Sequence, residues 1–259
     1  MTEKFQLVAS RQRKLLELIN TNSAANVNEL AEFFGVSEVT VRRDLSAMEG
    51  KGLLARSHGG AVTISPASRD TPREIRSNSN VPEKRRIGQE ALKLLHGDET
   101  VFLDAGTTAV VVASELAKQR GCTFITSSLG VANILADKEH PHIYLVGGNY
   151  HPINQAFGGK LAINALNEFS FDIAFLCVAS VDVERCSISI ALEPYSQVQQ
   201  KVISVSRRSF VIADHTKFKP SAFSVSAGFN EIDGVITGTE VDKSVARKCA
   251  ENDLELILA

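Results

Sequence analysis

The sequence predicts an α/β protein in two parts, a small N-terminal winged helix-turn-helix domain followed by a larger, mainly parallel α/β domain. Three observations carry that expectation. Apolar residues Leu30, Ala31 and Phe34 before Gly35, and Val41, Leu45 and Met48 after it, place two short amphipathic helices on either side of a turn. The run Gly50-Lys-Gly-Leu-Leu-Ala-Arg-Ser-His-Gly-Gly-Ala-Val62 holds two apolar stretches around a basic, glycine-rich tip. From Pro82 onward, short apolar runs alternate with helical patterns.

Taken in order, residues from about Ser10 to Asn20 read as a first helix. Gly35 then supplies a turn position without a Cβ penalty, and Ser37 can cap the following helix at its orphan amides. At about 100° per residue, Val41, Leu45 and Met48 share one narrow stripe, which should face the core. Val39, Thr40 and Arg43, with Arg42 and Ser46 at the flanks, then project outward, as a helix docked in a DNA major groove requires. Arg43 is the leading base reader. Arg42, nearer the side of the helix, suits a phosphate, and either Val39 or Thr40 can touch a thymine methyl. In the wing, Arg56 and His58 are placed to lie against the sugar-phosphate backbone, with Gly59 and Gly60 allowing the bend.

Composition bounds the rest. The 259 residues allow one small and one medium domain, and a formal net charge of −2 argues against nonspecific coating of nucleic acid. Affinity for double-stranded DNA must come from local arginines and from doubling the contacts in a homo-oligomer. Cys122, Cys177, Cys186 and Cys249 lack the paired spacing of a zinc site and read as reduced thiols. No cofactor or resident metal is expected, and no run of about 18 apolar residues suggests a membrane span. A soluble, cytoplasmic protein is expected.

Residues 1–62 form the expected DNA-binding domain, and 63–80, rich in Ser, Pro and Arg, read as a linker. Its Arg69, Arg73 and Arg76 either run along DNA phosphates or are simply solvated. Residues 81–259 form the α/β domain. Its expected elements begin with a helix over Lys84 to Leu95 and a strand at Thr100-Val-Phe-Leu103. Further strands are expected at 123–126, 142–146, 173–178, 209–213, 234–237 and 255–258. Being apolar on both faces, they suit a parallel sheet covered on two sides.

Ligands collect at the carboxyl ends of strands in such sheets. Asp104-Ala-Gly-Thr-Thr108 follows one strand and precedes a helix from about Ala109 to Arg120, so Gly106, Thr107 and Thr108 can cradle a phosphate at a helix N-terminus. Thr126-Ser-Ser-Leu-Gly130, with Ser127 and Ser128, repeats the arrangement. Gly147 and Gly148 do so again, and Lys217 offers a point charge. Each loop alone is an ordinary strand-to-helix turn; their convergence favours a phosphorylated small molecule.

Phe34-Gly-Val-Ser-Glu-Val-Thr-Val-Arg-Arg-Asp-Leu45, Leu54-Ala-Arg-Ser-His-Gly-Gly-Ala61, Asp104-Ala-Gly-Thr-Thr108, Val146-Gly-Gly148 and Ala213-Asp-His-Thr-Lys-Phe218 occur in one order along the chain. In that order they resemble the DeoR/GlpR family of bacterial transcriptional regulators, over nearly the whole sequence. The resemblance implies a winged-helix DNA reader joined to a sugar-phosphate-sensing domain with a sugar-phosphate isomerase-like fold, acting as an oligomeric repressor of carbohydrate genes. It places the sugar phosphate against residues matching Gly106, Thr107, Thr108 and Lys217. Against the family pattern, Ser127 replaces an Asn, Cys177 and Ser180 replace glycines, Val198-Gln-Gln200 replaces a Val-Lys-Arg step and Thr237-Gly238 a Thr-Asp, while Asp182 remains. A retained phosphate cradle with altered sugar selectivity is expected. Two rivals stand beside this reading: a sugar-phosphate isomerase or hydrolase built on Asp104, Asp182, Glu193 and Lys217, and a DNA-binding oligomer whose second domain senses nothing.

Overall fold

A computed structural model describes residues 8, 10–16, 18–19, 24–49, 54–57, 59–62, 73–152 and 154–259. The chain divides into two compact units, Met1–Pro72 and Arg73–Ala259.

In the first unit, helix α1 (residues 10–16 and 18–19) is followed by α2 (Val27–Phe34) and α3 (Glu38–Glu49). Gly35 ends α2 in the left-handed region at φ 60°, ψ 36°, its N–H reaching the carbonyls of Ala31 and Glu32. Leu15, Ile19, Leu30, Val41, Leu45, Met48 and Leu54 close one core beneath these helices. The expected wing is present as β2 (Ala55–Ser57) paired antiparallel with β3 (Gly60–Val62). A strand the sequence did not suggest, β1 (Ala24–Asn26), pairs with the other edge of β3. His58 lies outside the described residues, as do residues 63–72 and with them Arg69.

The second unit corrects the expected linker. Residues 73–78 are not extended chain but helix α4 (Arg73–Asn78), and they belong to the α/β unit. After α5 (Val81–Lys93) the chain alternates through β4 (Thr100–Leu103), α6 (Thr107–Leu116), β5 (Thr123–Thr126), α7 (Leu129–Asp137) and β6 (Ile143–Leu145). The hairpin β7 (Asn149–His151) and β8 (Ala156–Gly158) precedes α8 (Lys160–Leu166) and β9 (Ile173–Leu176). Then come β10 (Ser180–Asp182), β11 (Ser187–Ile190), α9 (Glu193–Ser204), β12 (Ser209–Ile212), β13 (Ser224–Gly228), β14 (Gly234–Thr237), α10 (Lys243–Glu251) and β15 (Leu256–Leu258).

Seven strands form one parallel sheet in the order β15-β14-β12-β9-β4-β5-β6. Successive residues serve opposite faces: Val101 and Leu103 pack into one core with Ile87, Val112 and Leu116, while Phe102 enters a second with Leu166, Val198 and Val202. This two-sided burial explains the unbroken apolar runs in the sequence. From β4 the chain winds outward to β5 and β6, then returns to β9 on the other flank and continues away. The direction therefore reverses between β4 and β9, and their carboxyl ends open the crevice where ligands of such sheets bind. A smaller antiparallel sheet, β10-β11-β13, follows β9.

Candidate functional site

On α3 the sidedness matches the sequence reading. Val41, Leu45 and Met48 are fully buried, whereas Ser37, Val39, Arg42, Arg43 and Ser46 are exposed and Thr40 half-buried. Ser37 Oγ accepts from the Thr40 amide at 3.3 Å and lies 2.9 Å from Thr40 Oγ1, so the cap is made. Arg42 pairs with Glu38 one turn back at 3.1 Å; at half exposure such a pair contributes little, and a phosphate can displace it. Arg56 lies in β2. Sequence reasoning missed Asp44, which is 5% exposed and accepts from Arg11 Nε at 2.6 Å and Gln12 Nε2 at 3.0 Å. That clasp fixes α1 against the recognition helix. Its signal was a carboxylate three residues beyond Val41, on the core side of the stripe, where it must be paired.

At the crevice of the second unit, Asp104, Gly106, Thr107 and Thr108 lie at the end of β4 and the start of α6. Gly106 caps α6 with no side-chain acceptor of its own, the first-turn amide of Ala109 bonds Cys177, and Thr107 and Thr108 are buried in that turn. A Cβ at Gly106 would lie 2.7 Å from Cys177 Sγ and 2.8 Å from its Cβ, so the β4 and β9 ends approach this closely only with glycine here. The sequence reading missed Lys84 of α5, which is 2% exposed with Nζ 3.3 Å from Thr107 Oγ1. Burial holds its ammonium below the ordinary lysine value, partly offset by Asp214 and reinforced by the charge of Lys217. Lys217 sits in a short 3-10 turn after β12 whose N-cap, Asp214, accepts from the Thr216 amide. Against its own desolvation, Asp214 is held below the usual carboxylate range by Thr216, Lys217 and Lys84. The first turn of α6, the Thr107 hydroxyl and the Lys84 ammonium thus lie together, with Lys217 close enough to act on Lys84, an arrangement suited to an anion.

Deeper in, Asp104 is fully buried and accepts at Oδ2 from Gln199 Nε2 at 2.7 Å and from the Cys177 amide at 3.0 Å. Gln199 Nε2 also donates to the Cys177 carbonyl at 2.6 Å, and its carbonyl oxygen accepts from Ser226 on β13. Burial pushes the Asp104 carboxyl up to about 6, with Gln199, Ala105 and Cys177 drawing it back. Burial likewise drives the Cys177 thiol up to about 12, so it is no nucleophile.

Other expected residues take different places. Asp182 does not face the crevice as an open ligand. Its Oδ1 accepts from the amides of Glu184 and Arg185, and its Oδ2 from Ser221 N at 2.7 Å and Oγ at 2.8 Å, which braces two turns. Ser128 caps α7 through Val131 N. Ser127 Oγ is fully buried and has no hydrogen-bond partner among the described residues. Gly147 sits in the β6–β7 turn with open space around it, and Gly148 adopts φ 155° against the Gly158 carbonyl. Glu193 is exposed and bonded to Gln197. Arg73 and Arg76 bind Asn154, at its carbonyl (3.2 Å) and its side-chain oxygen (2.7 Å), on the loop of the β7–β8 hairpin. Among the described residues, Glu83, Asp214 and His215 have ligating atoms within 4.8 Å of one another. These groups already serve the protein: Glu83 accepts from His215 N, His215 Nδ1 and Gly238 N, and Asp214 from Thr216.

Comparison with known proteins agrees with both units. Residues 11–67 match the DeoR-like helix-turn-helix domain, and residues 79–239 match the DeoR C terminal sensor domain. The transcriptional repressor AccR of Agrobacterium fabrum is 38% identical over 233 residues, 90% of each chain. The lactose phosphotransferase system repressor of Staphylococcus aureus is 32% identical over 238 residues, 91% of this chain and 94% of that one. Ribose 5-phosphate isomerase A of Methanocaldococcus jannaschii overlays 54% of this chain and 56% of its own with a TM-score of 0.42 and 19% identity. Among the described residues no helix is long and apolar enough to cross a membrane. The chain belongs to the DeoR family of helix-turn-helix transcriptional regulators.

Proposed function

We propose that this regulator is a cytoplasmic, homo-oligomeric repressor of carbohydrate genes that reads double-stranded operator DNA with α3 and the wing and responds to a phosphorylated sugar. The observation that carries the sensing half is the uncapped N-terminus of α6 with Thr107, Thr108, Lys84 and Lys217 around it. The phosphate sits there. The sugar extends toward Asp104, Ser127 and the Gly147-Gly148 turn, where the unpaired Ser127 hydroxyl is a ready partner for a ligand hydroxyl. The names of relatives such as the lactose phosphotransferase system repressor support sugar-linked control.

The enzyme reading loses its acid-base set. Asp182 is committed to two turns and Glu193 is exposed, so neither is placed as an acid-base partner, and the buried Asp214 is taken up by Thr216 and the charges of Lys217 and Lys84. For the DNA-reading half, Arg43 addresses base edges and Arg42 and Arg56 phosphates.

Calorimetric titration of the full chain with inorganic phosphate and a panel of sugar phosphates, followed by operator binding with each ligand that binds, tests the proposal. Binding that weakens on Lys217→Ala, together with ligand-dependent operator affinity, is expected. Absence of heat across the panel at millimolar concentration sinks the sensing half and leaves the non-sensing oligomer.

A further inference from the structure

The Lys84 ammonium joins the open end of α6 to the trailing end of α4. Nζ donates to the Arg76 carbonyl at 2.6 Å, the Ser79 carbonyl at 2.8 Å and Thr107 Oγ1 at 3.3 Å. An ammonium has three protons, so its donor set is full. The two short bonds hold the end of a six-residue helix that is too short to persist without tertiary support. The longest bond is the one on the anion side. All three acceptors are neutral; burial acts most strongly against the charge, Asp214 is the largest charge favouring it, and Lys217 and Arg76 oppose it. A buried cation so placed lacks a close anionic acceptor.

We propose that Lys84 is a positioning residue that couples anion binding at α6 to the docking of α4. The proposal rests on the phosphate reading of the crevice. A phosphate oxygen replaces Thr107 as the third acceptor of Nζ, offsets the repulsion among Lys84, Lys217 and Arg76, and fixes the ammonium beneath the Arg76 and Ser79 carbonyls. The exchange costs neither of the two short bonds, so ligand and α4 reinforce each other.

The consequence reaches the DNA-binding unit through the chain itself. α4 is the first element after residues 63–72, which connect β3 to the second unit. With α4 docked, the second unit begins at residue 73; with it undocked, residues 73–80 are released from that unit. Each released residue adds up to about 3.3–3.6 Å of reach. Ligand occupancy therefore sets how far apart two recognition helices of an oligomer can sit, the quantity an operator with two half-sites reads.

Hydrogen exchange read by mass spectrometry on the full chain, with and without inorganic phosphate, tests this. A melt in the same buffers establishes binding. Phosphate is expected to slow exchange of a peptide spanning residues 73–80 by about 5-fold or more, the lower end of ordinary coupling, with a peptide from α10 unchanged. A raised Tm with residues 73–80 unmoved, or slowed no more than α10, overturns the coupling and leaves the phosphate reading standing. No rise in Tm and no slowing overturns both.

Lys84→Met is expected to exchange rapidly over residues 73–80 whether or not phosphate is present; slow exchange there would count against the role of Lys84. Should that variant fail to fold, Asn154→Ala decides. It removes the side-chain acceptor of Arg76 but leaves Lys84, so basal exchange is expected to rise while the phosphate-dependent slowing persists. Loss of the slowing in this variant, with phosphate still binding, overturns the assignment to Lys84.

Discussion

Replacing Asp104 by Asn should stabilise the second unit at neutral pH and leave it little changed under acid. The carboxyl of Asp104 stands at about 6 in the folded chain against an ordinary 3.8, because burial outweighs the donors Gln199, Ala105 and Cys177. Between those two values the folded state binds more protons than the unfolded one, so stability falls as pH rises from about 4 to about 6 and stays at the lower level above it. At roughly 1.4 kcal/mol per pH unit the loss amounts to about 3 kcal/mol. For a unit of this size that corresponds to roughly 6–12 °C in Tm.

Asn does not titrate, so the wild-type minus variant difference should change by about this amount between pH 4 and pH 7, whatever constant cost the lost carboxylate geometry adds. The assay is favourable, since the chain has no Trp and its three Tyr residues, Tyr144, Tyr150 and Tyr195, all belong to the second unit. Tyrosine fluorescence in a urea titration therefore reports that unit alone. A difference that stays constant across this window would refute the claim that Asp104 is buried among neutral donors.

Arg43→Ala is expected to cost about 1–3 kcal/mol on a selected operator and to relax specificity at one base position, whereas Arg42→Ala should weaken all sequences alike and reduce the salt slope by about 1; binding measured across a salt series separates the two. Asp44→Ala removes two hydrogen bonds to a buried carboxylate, one from a charged donor, and should cost about 1.5–3 kcal/mol, seen as faster hydrogen exchange in residues 10–19 and weaker operator binding. Gly106→Ala places a methyl 2.7 Å from Cys177 Sγ and 2.8 Å from its Cβ, an overpacking expected to cost about 1–3 kcal/mol in thermal melts. Rescue is expected from Cys177→Gly but not from Cys177→Ala, because alanine keeps the offending Cβ.

The parallel sheet was legible because its inner strands are sequestered on both faces. Thr100–Leu103, Thr123–Thr126 and Gly234–Thr237 end where their apolar runs end. The antiparallel sheet was not legible: Ser180–Asp182 and Ser187–Ile190 are short and rich in Ser, and they are strands by virtue of pairing with each other and with β13. α4 escaped for a related reason. Arg-Glu-Ile-Arg-Ser-Asn presents no apolar stripe, its lone Ile75 is 46% exposed, and its helix depends on Lys84 and Asn154, which sequence spacing cannot connect to it. In the site, Asp104 and Thr107 announced themselves by following a strand. Lys84 did not, because a lysine in an amphipathic helix looks solvated until α4 and Thr107 close over it. Asp182 misled in the opposite sense, since a carboxylate after a strand can organise turns as readily as it can meet a ligand.

The departures from the family pattern act together. A lysine at position 199 would set a fixed charge against Asp104; Gln199 instead offers a dipole that must serve Asp104 and the Cys177 carbonyl at once while accepting from Ser226. Cys177 in place of glycine fills the space beside Gly106, and Ser127 in place of asparagine leaves a hydroxyl with nothing to bond. The anion end, with its lysines and open helix, keeps strong fixed charges, whereas the inner end has exchanged a fixed cation for neutral amide and hydroxyl groups. Under the proposed sensing role, affinity for a phosphate rests on the first end, where of these changes only Cys177, beside Gly106, intrudes. In the same proposal, selection among sugars rests on the second end, where a ligand would have to satisfy a buried carboxylate and the Ser127 hydroxyl without a neighbouring fixed cation, so the ligand proposed here differs from one chosen by an ion-paired Asp104.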